Sequence, residues 1–145
     1  MWCVVAAAAP AFAATTERIV ADRHSGIAIG GFDPVAYFVD AGPLQGRPDH
    51  EYALGGVTWR FRNEGNRAAF AANPEIYAPQ FGGYDPAGIA RGVAVPGHPE
   101  LFLIKGRRLY LFYTEESRAA FAENPETVRL AAEEKWPDVL KTLAP

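Results

Sequence analysis

The sequence predicts an α+β fold: a single compact domain of two repeated β-hairpin–helix units plus a C-terminal helix. Three observations carry this expectation. The chain repeats itself, because GGVTWRFRNEGNRAAFAANPE from Gly55 and GRRLYLFYTEESRAAFAENPE from Gly106 share 11 of 21 positions at an offset of 51 residues. Such self-similarity marks one structural unit used twice. Each copy also shows two short β-prone runs around a glycine turn, followed by a helical run that ends at Asn-Pro-Glu. Finally, 145 residues with 49% apolar and 21% charged content suit one ordinary core. A hairpin plus one helix cannot bury its own apolar face, so the two copies are expected to share that core.

The elements follow in order. Residues 14–27 form an ordered lead-in, and Ile27 and Ile29 alternate before Gly30-Gly31. Asp33-Pro34 pairs a good N-cap with a good first helical residue, so a short helix is expected from Pro34. Gly42 to Asp49, punctuated by Pro43, Gly46 and Pro48, reads as a loop. Strands are expected at His50–Leu54 and Val57–Arg62, joined by Gly55-Gly56, with Trp59 and Phe61 on one face. A helix should span Glu64–Ala72 with Phe70 inward and Arg67 outward, and Asn73-Pro74-Glu75 should close it. The second copy predicts strands at Leu101–Ile104 and Leu109–Tyr113 around a Lys105–Arg107 turn, then a helix over Glu115–Glu123. After Asn124-Pro125 a longer amphipathic helix should reach Trp136, where Pro137 ends or kinks it. Residues 138–145 read as a C-terminal tail.

Composition excludes several functions. A net charge of -3 gives no basic footprint for nucleic acid. After the leader, no run approaches the roughly 20 apolar residues of a membrane-spanning helix. The leader is residues 1–13, MWCVVAAAAPAFA, which are uncharged, nearly all apolar, and close on the small-x-small pattern Ala11-Phe12-Ala13. This reads as a signal peptide without its usual cationic start, removed near Ala13, and predicts a periplasmic or secreted protein. The only cysteine, Cys3, and the only methionine, Met1, fall inside it. A sulfur-free mature chain can form no disulfide, thiolate nucleophile, Fe–S cluster or Cu(I) thiolate site.

No catalytic residues are legible. The only serines are Ser25 and Ser117, and His24 beside Ser25 is adjacency, not a nucleophile with its base. Glu115-Glu116 and Glu133-Glu134 belong to solvated helix faces, so no enzyme is expected. A ligand cleft is expected between residues 31–38 and 79–88. Its candidates are Asp33, Tyr37, Trp59, Tyr77, Phe81, Gly82, Gly83 and Tyr84, combining amphipathic rings with a glycine pair that lets a ligand approach the backbone. The competing reading makes the rings core and the glycines a tight turn. Asp85, His24, His50 and His98 are candidate metal ligands, for a divalent ion such as Zn²⁺, although no metal-ligand spacing links them. Asp85-Pro86-Ala87-Gly88 equally matches a type I turn. On that reading Asp85→Asn is mild, and Asp85→Ala removes one local hydrogen bond, about 1 kcal/mol.

GFDPVAYF at 31–38, WRF…NRAAFAANPEIYAPQFGGY at 59–84 and GRRLYLFY at 106–113 resemble the YHS domain family, in its secreted bacterial members, over residues 28–137. The family is distantly similar to TRASH and treble-clef-like modules, and the resemblance implies a metal-binding role. Related sequences usually continue the Gly-Gly-Tyr stretch with cysteine, where this chain has Asp85. Aspartate can ligate Zn²⁺ but does not replace thiolate for copper. The resemblance implies an exported binding module for a metal ion, a small ligand or a periplasmic protein. The alternative it leaves is a non-catalytic interaction or structural domain whose metal site has been lost.

Overall fold

Each β-hairpin is turned by two residues in the left-handed region, which explains the glycines at those places. In the computed structural model, which describes residues 17–144, Gly55 and Gly56 have φ of 70° and 79° and join β1 (Arg47–Leu54) to β2 (Val57–Phe61). Gly106 and Arg107, at φ of 58° and 61°, join β3 (His98–Lys105) to β4 (Arg108–Phe112). Both pairs are antiparallel and form separate two-stranded sheets. The signal peptide expected over residues 1–13 lies outside the described residues.

The outer strands begin earlier than expected, at Arg47 and His98 in place of His50 and Leu101. Each carries an irregularity in the same place, between Arg47 and Glu51 and between His98 and Phe102. The reason is Pro48 and Pro99, which lack an N–H for the ladder and are accommodated by a bulge. β2 and β4 each stop one residue short of the expected end.

The helices after the hairpins have the expected bounds, α2 (Glu64–Ala72) and α5 (Glu115–Glu123). Local chemistry sets both ends. Asn63 Oδ1 accepts from Asn66 N at 2.8 Å and Thr114 Oγ1 from Ser117 N at 3.1 Å, satisfying first-turn donors. Asn73 and Asn124 close the helices with their own N–H groups, and Pro74 and Pro125 open α3 (Pro74–Tyr77) and α6 (Pro125–Thr142).

Two expectations are corrected here. The first short helix, α1 (Ala36–Val39), starts two residues after Pro34, because Asp33 closes a turn over residues 34 and 35 before the helix begins. α6 does not end at Pro137 but runs through it to Thr142, and Val139 and Leu143 are buried. Residues 138–142 therefore continue the helix; Asp138 and Lys141 stay exposed, while Val139 and Leu143 anchor this stretch to the core. Their apolar burial offsets the hydrogen bond lost at the proline.

The duplication reaches further than the 21-residue match. Gly30-Gly31-Phe32-Asp33-Pro34 recurs as Gly82-Gly83-Tyr84-Asp85-Pro86, 52 residues on. Ile29 and Phe81, the residues just before, share positive φ of 43° and 55°. Asp33 N donates to Leu44 O at 2.9 Å and Asp85 N to Val95 O at 2.8 Å. Gly46 N donates to Gly31 O at 2.8 Å, and Gly97 N to Gly83 O at 2.9 Å. A Cβ on Gly46 would lie 2.5 Å from the Arg60 backbone, and one on Gly97 2.7 Å from the Leu111 backbone, so both crossings exclude any side chain. Each unit therefore runs from the double glycine through hairpin and helix. The short helix α4 (Pro86–Ala90) is the counterpart of α1.

The shared core divides in two around β4. Leu109 and Leu111 join Trp59, Phe61, Phe70, Ile29 and Tyr37 on one side. Tyr110 and Phe112 join Phe81, Tyr84, Ile89, Phe121, Ala132 and Val139 on the other. β4 is buried on both faces, whereas β2 alternates buried Val57, Trp59 and Phe61 with half-buried Thr58 and Arg60. The lead-in covers the edge of β2, with Ala28 N donating to Thr58 O at 2.8 Å.

Candidate functional site

Asp33 and Asp85 are the only fully buried charged side chains among the described residues, and they do the same job in the two units. Asp33 Oδ1 accepts from Val35 N at 2.8 Å and Ala36 N at 3.3 Å, while Oδ2 accepts from Arg62 N at 2.9 Å and Asn66 Nδ2 at 2.8 Å. Asp85 Oδ1 accepts from Ala87 N and Ser117 Oγ, both at 2.8 Å, and Oδ2 from Tyr113 N at 2.8 Å. Each carboxylate thus fastens a short helix to the end of a hairpin and to the following helix. A buried charge is tolerated only when paired or fully hydrogen-bonded, as these are. The expected turn at Asp85 is present as the N-cap of α4, but the side chain also reaches residues far along the chain.

The other expected ligand residues are packed, not gathered around an opening. Tyr37, Trp59 and Tyr84 are at most 1% exposed, and Phe81 and Gly83 are buried as well. The Trp59 indole N–H donates to Leu54 O at 3.1 Å, and the Tyr37 hydroxyl donates to Pro99 O at 2.6 Å, tying the first unit to the second. Tyr77 is half-buried, edge-on to Phe38. The close approach that Gly82 permits is made by the chain itself: a Cβ there would lie 2.0 Å from Arg18 O, and Val20 N donates to Gly82 O at 2.8 Å. The Tyr84 hydroxyl donates to Glu17 O. Burial pushes the Tyr84 phenol up to about 12 and the Tyr37 phenol higher still.

The metal candidates are dispersed. His24 lies in an exposed turn where its N–H and that of Ser25 donate to Asp22 Oδ1. The Ser25 hydroxyl also donates to Asp22, so it does not face His24 as a nucleophile faces its base. His50 Nδ1 lies 3.7 Å from Glu64, and His98 Nδ1 accepts from Glu100 N at 3.2 Å. Among the described residues no three His, Cys, Asp or Glu side chains are grouped to hold a metal ion.

The open cavity near an expected residue lies on the far side of Asp85, between α4 and α5. It encloses about 410 Å³, and Arg91, Tyr113, Thr114, Glu116 and Ser117 bring polar groups to it. Ala87, Gly88, Val95 and Ala120 supply apolar wall. At the matching place in the first unit, Arg62 reaches across to Asp40 at 3.9 Å. The second unit has Tyr113 and Gly92 there, so no ion pair spans the walls. Arg91, Tyr113 and Glu116 were missed in the sequence because nothing local distinguishes them from solvated surface. The signal that finds Tyr113 is the 51-residue offset of the hairpin–helix repeat, which aligns it with Arg62.

No family model matches the chain, and neither the curated proteins nor the solved structures include a significant match to it.

Proposed function

We propose that this chain is an exported, non-catalytic binding module of the YHS type that takes a small polar ligand in the cleft between α4 and α5. The observation that carries the reading is the difference between the two units at one place. Both keep the buried aspartate staple, but the Asp40–Arg62 ion pair bridges the first unit while the second presents an open cleft of about 410 Å³. A duplicated unit with its staple retained and its mouth opened has the geometry of a ligand pocket on a rigid frame. Arg91 and Glu116 offer opposite charges at its wall, and Tyr113, 62% exposed, offers a ring face.

A small molecule suits this donor set better than a metal ion. Zn²⁺ takes three or four protein ligands, whereas both Asp85 oxygens already accept from the chain's own donors.

Ligand-observed NMR with a library of small polar metabolites, on untagged protein, tests the proposal. Saturable one-to-one binding that is lost in Tyr113→Ala and Arg91→Gln supports it. Failure of every library member to bind, or stoichiometric metal by elemental analysis of protein from its native compartment, overturns it.

A further inference from the structure

The tip of the second hairpin carries charge that the first lacks. Lys105, Arg107 and Arg108 stand where the first unit has Leu54, Gly56 and Val57, and Arg129 stands where it has Ala78. Lys105, Arg108 and Arg129 meet at one cavity, with Arg107 beside them in the hairpin turn, in a chain whose net charge is -3. Lys105, Gly106, Arg108, Tyr110, Glu126 and Arg129 line a cavity of about 240 Å³ between the hairpin and the start of α6.

Charge balance there leaves a surplus. Arg129 is held by Glu126 at 2.6 Å and Glu133 at 2.8 Å, and Arg108 lies 3.4 Å from the same Glu133. Two acids thus serve two arginines. Lys105 and Arg107 take part in none of the ion pairs among the described residues. The carboxylates fix the Arg129 guanidinium at the cavity wall, a preorganised donor.

Two further observations mark the place as open. In the first unit a Cβ on Gly55 would lie 2.7 Å from Ile19, so the lead-in closes that tip, while a Cβ on Gly106 would meet nothing within 4 Å. Arg107 also adopts φ of 61°, where the first unit has glycine. A long side chain retained in the left-handed region at a local cost points to a role for its charge.

We propose that this cavity binds a phosphate group, carried by a small phosphorylated molecule or by a lipid headgroup. The three cations at the cavity exceed the two acids paired with them by one, which favours an anion, and guanidinium groups match phosphate oxygens in two-point hydrogen bonding. The site is separate from the α4–α5 cleft and stands or falls independently of it.

Isothermal titration of untagged protein with inorganic phosphate and with glycerol 3-phosphate, using acetate and chloride as controls, tests the proposal. Vesicles of phosphatidylglycerol, compared with phosphatidylcholine, form the second arm. Saturable binding of either phosphate, weakened about tenfold or more in the double variant Lys105→Gln/Arg108→Gln and unchanged in Arg47→Gln, supports a small phosphorylated ligand. Binding to phosphatidylglycerol vesicles alone, lost in the same double variant, supports the headgroup. Both substituted side chains are solvent-exposed, and a native circular dichroism spectrum establishes that the variant is folded. Absence of binding in both arms, equal binding of acetate or chloride, or undiminished binding by the folded double variant overturns the proposal.

Discussion

Asp85 accepts three hydrogen bonds, from Ala87 N, Ser117 Oγ and Tyr113 N, and asparagine cannot replace it without loss. Both carboxylate oxygens accept, whereas an amide has one acceptor oxygen and turns its NH₂ toward one of the three donors. Asp85→Asn is therefore expected to cost about 1–2 kcal/mol and Asp85→Ala about 3 kcal/mol, because buried donors are left unpaired. Urea unfolding of the two variants checks this, and a loss from Asp85→Ala under about 1 kcal/mol would restore the simple turn. The Asp-Pro pair was legible as a cap because a cap is local. Its reach to Tyr113 and Ser117, roughly 30 residues on, was not, since a staple is made by tertiary packing. Tyr84 shows the same limit: its ring read as core or ligand surface, and its hydroxyl in fact ties down Glu17. Burial raises that phenol from its ordinary value near 10 to about 12. A group whose folded pKa is raised contributes stability that is complete below the unfolded pKa and lost as pH rises through the folded one. Stability from Tyr84 is thus present below about pH 10 and disappears toward about pH 12. Ultraviolet phenolate absorbance should show Tyr84 and Tyr37 un-ionised in folded protein at about pH 11 and ionising together with unfolding; their ionisation ahead of unfolding would contradict the burial.

Helices α2 and α5 were legible to the residue, since Asn63 and Thr114 at one end and Asn73-Pro74 and Asn124-Pro125 at the other are sequence-local signals. The outer strands were not, because the bulges at Pro48 and Pro99 depend on the partner strand. α6 departs furthest from local rules. Pro137 removes a backbone donor and crowds the carbonyl of Glu133, yet the helix continues to Thr142 because Val139 and Leu143 are buried beyond it. Packing holds the helix against a local penalty of about 3 kcal/mol. Pro137→Ala restores the hydrogen bond and is expected to stabilise the protein by about 1–3 kcal/mol, the proline having been partly relaxed by its surroundings. Thermal and urea unfolding measure it. Destabilisation by the substitution would mean that the proline's shape is needed in the packing of α6.

At the scale of the whole molecule, the repeat legible over 21 positions is a duplication of complete units that have become mutually dependent. The first unit's cluster is completed by Leu109 and Leu111 of β4, and its Tyr37 hydroxyl is satisfied by Pro99 O. The second unit is tied down by the lead-in, through Val20 N on Gly82 O and Tyr84 on Glu17 O. The alternation of Trp59 and Phe61 was readable as one buried face. A strand apolar on both faces, as β4 is from Leu109 to Phe112, is ambiguous until its neighbours are known. Neither half carries a closed core. Residues 17–79 alone would leave Trp59, Phe61 and Ile29 without the two leucines packed against them, and burying about two such side chains is worth roughly 3–6 kcal/mol. That is comparable with the entire stability of a small domain, about 5–15 kcal/mol. Residues 17–79 and 80–145, expressed separately, are therefore each expected to lack a cooperative urea transition, and mixing them should restore one together with native tyrosine protection. A cooperative transition in residues 17–79 alone would show that β4 is not needed, and that the two units are independent domains joined in one chain.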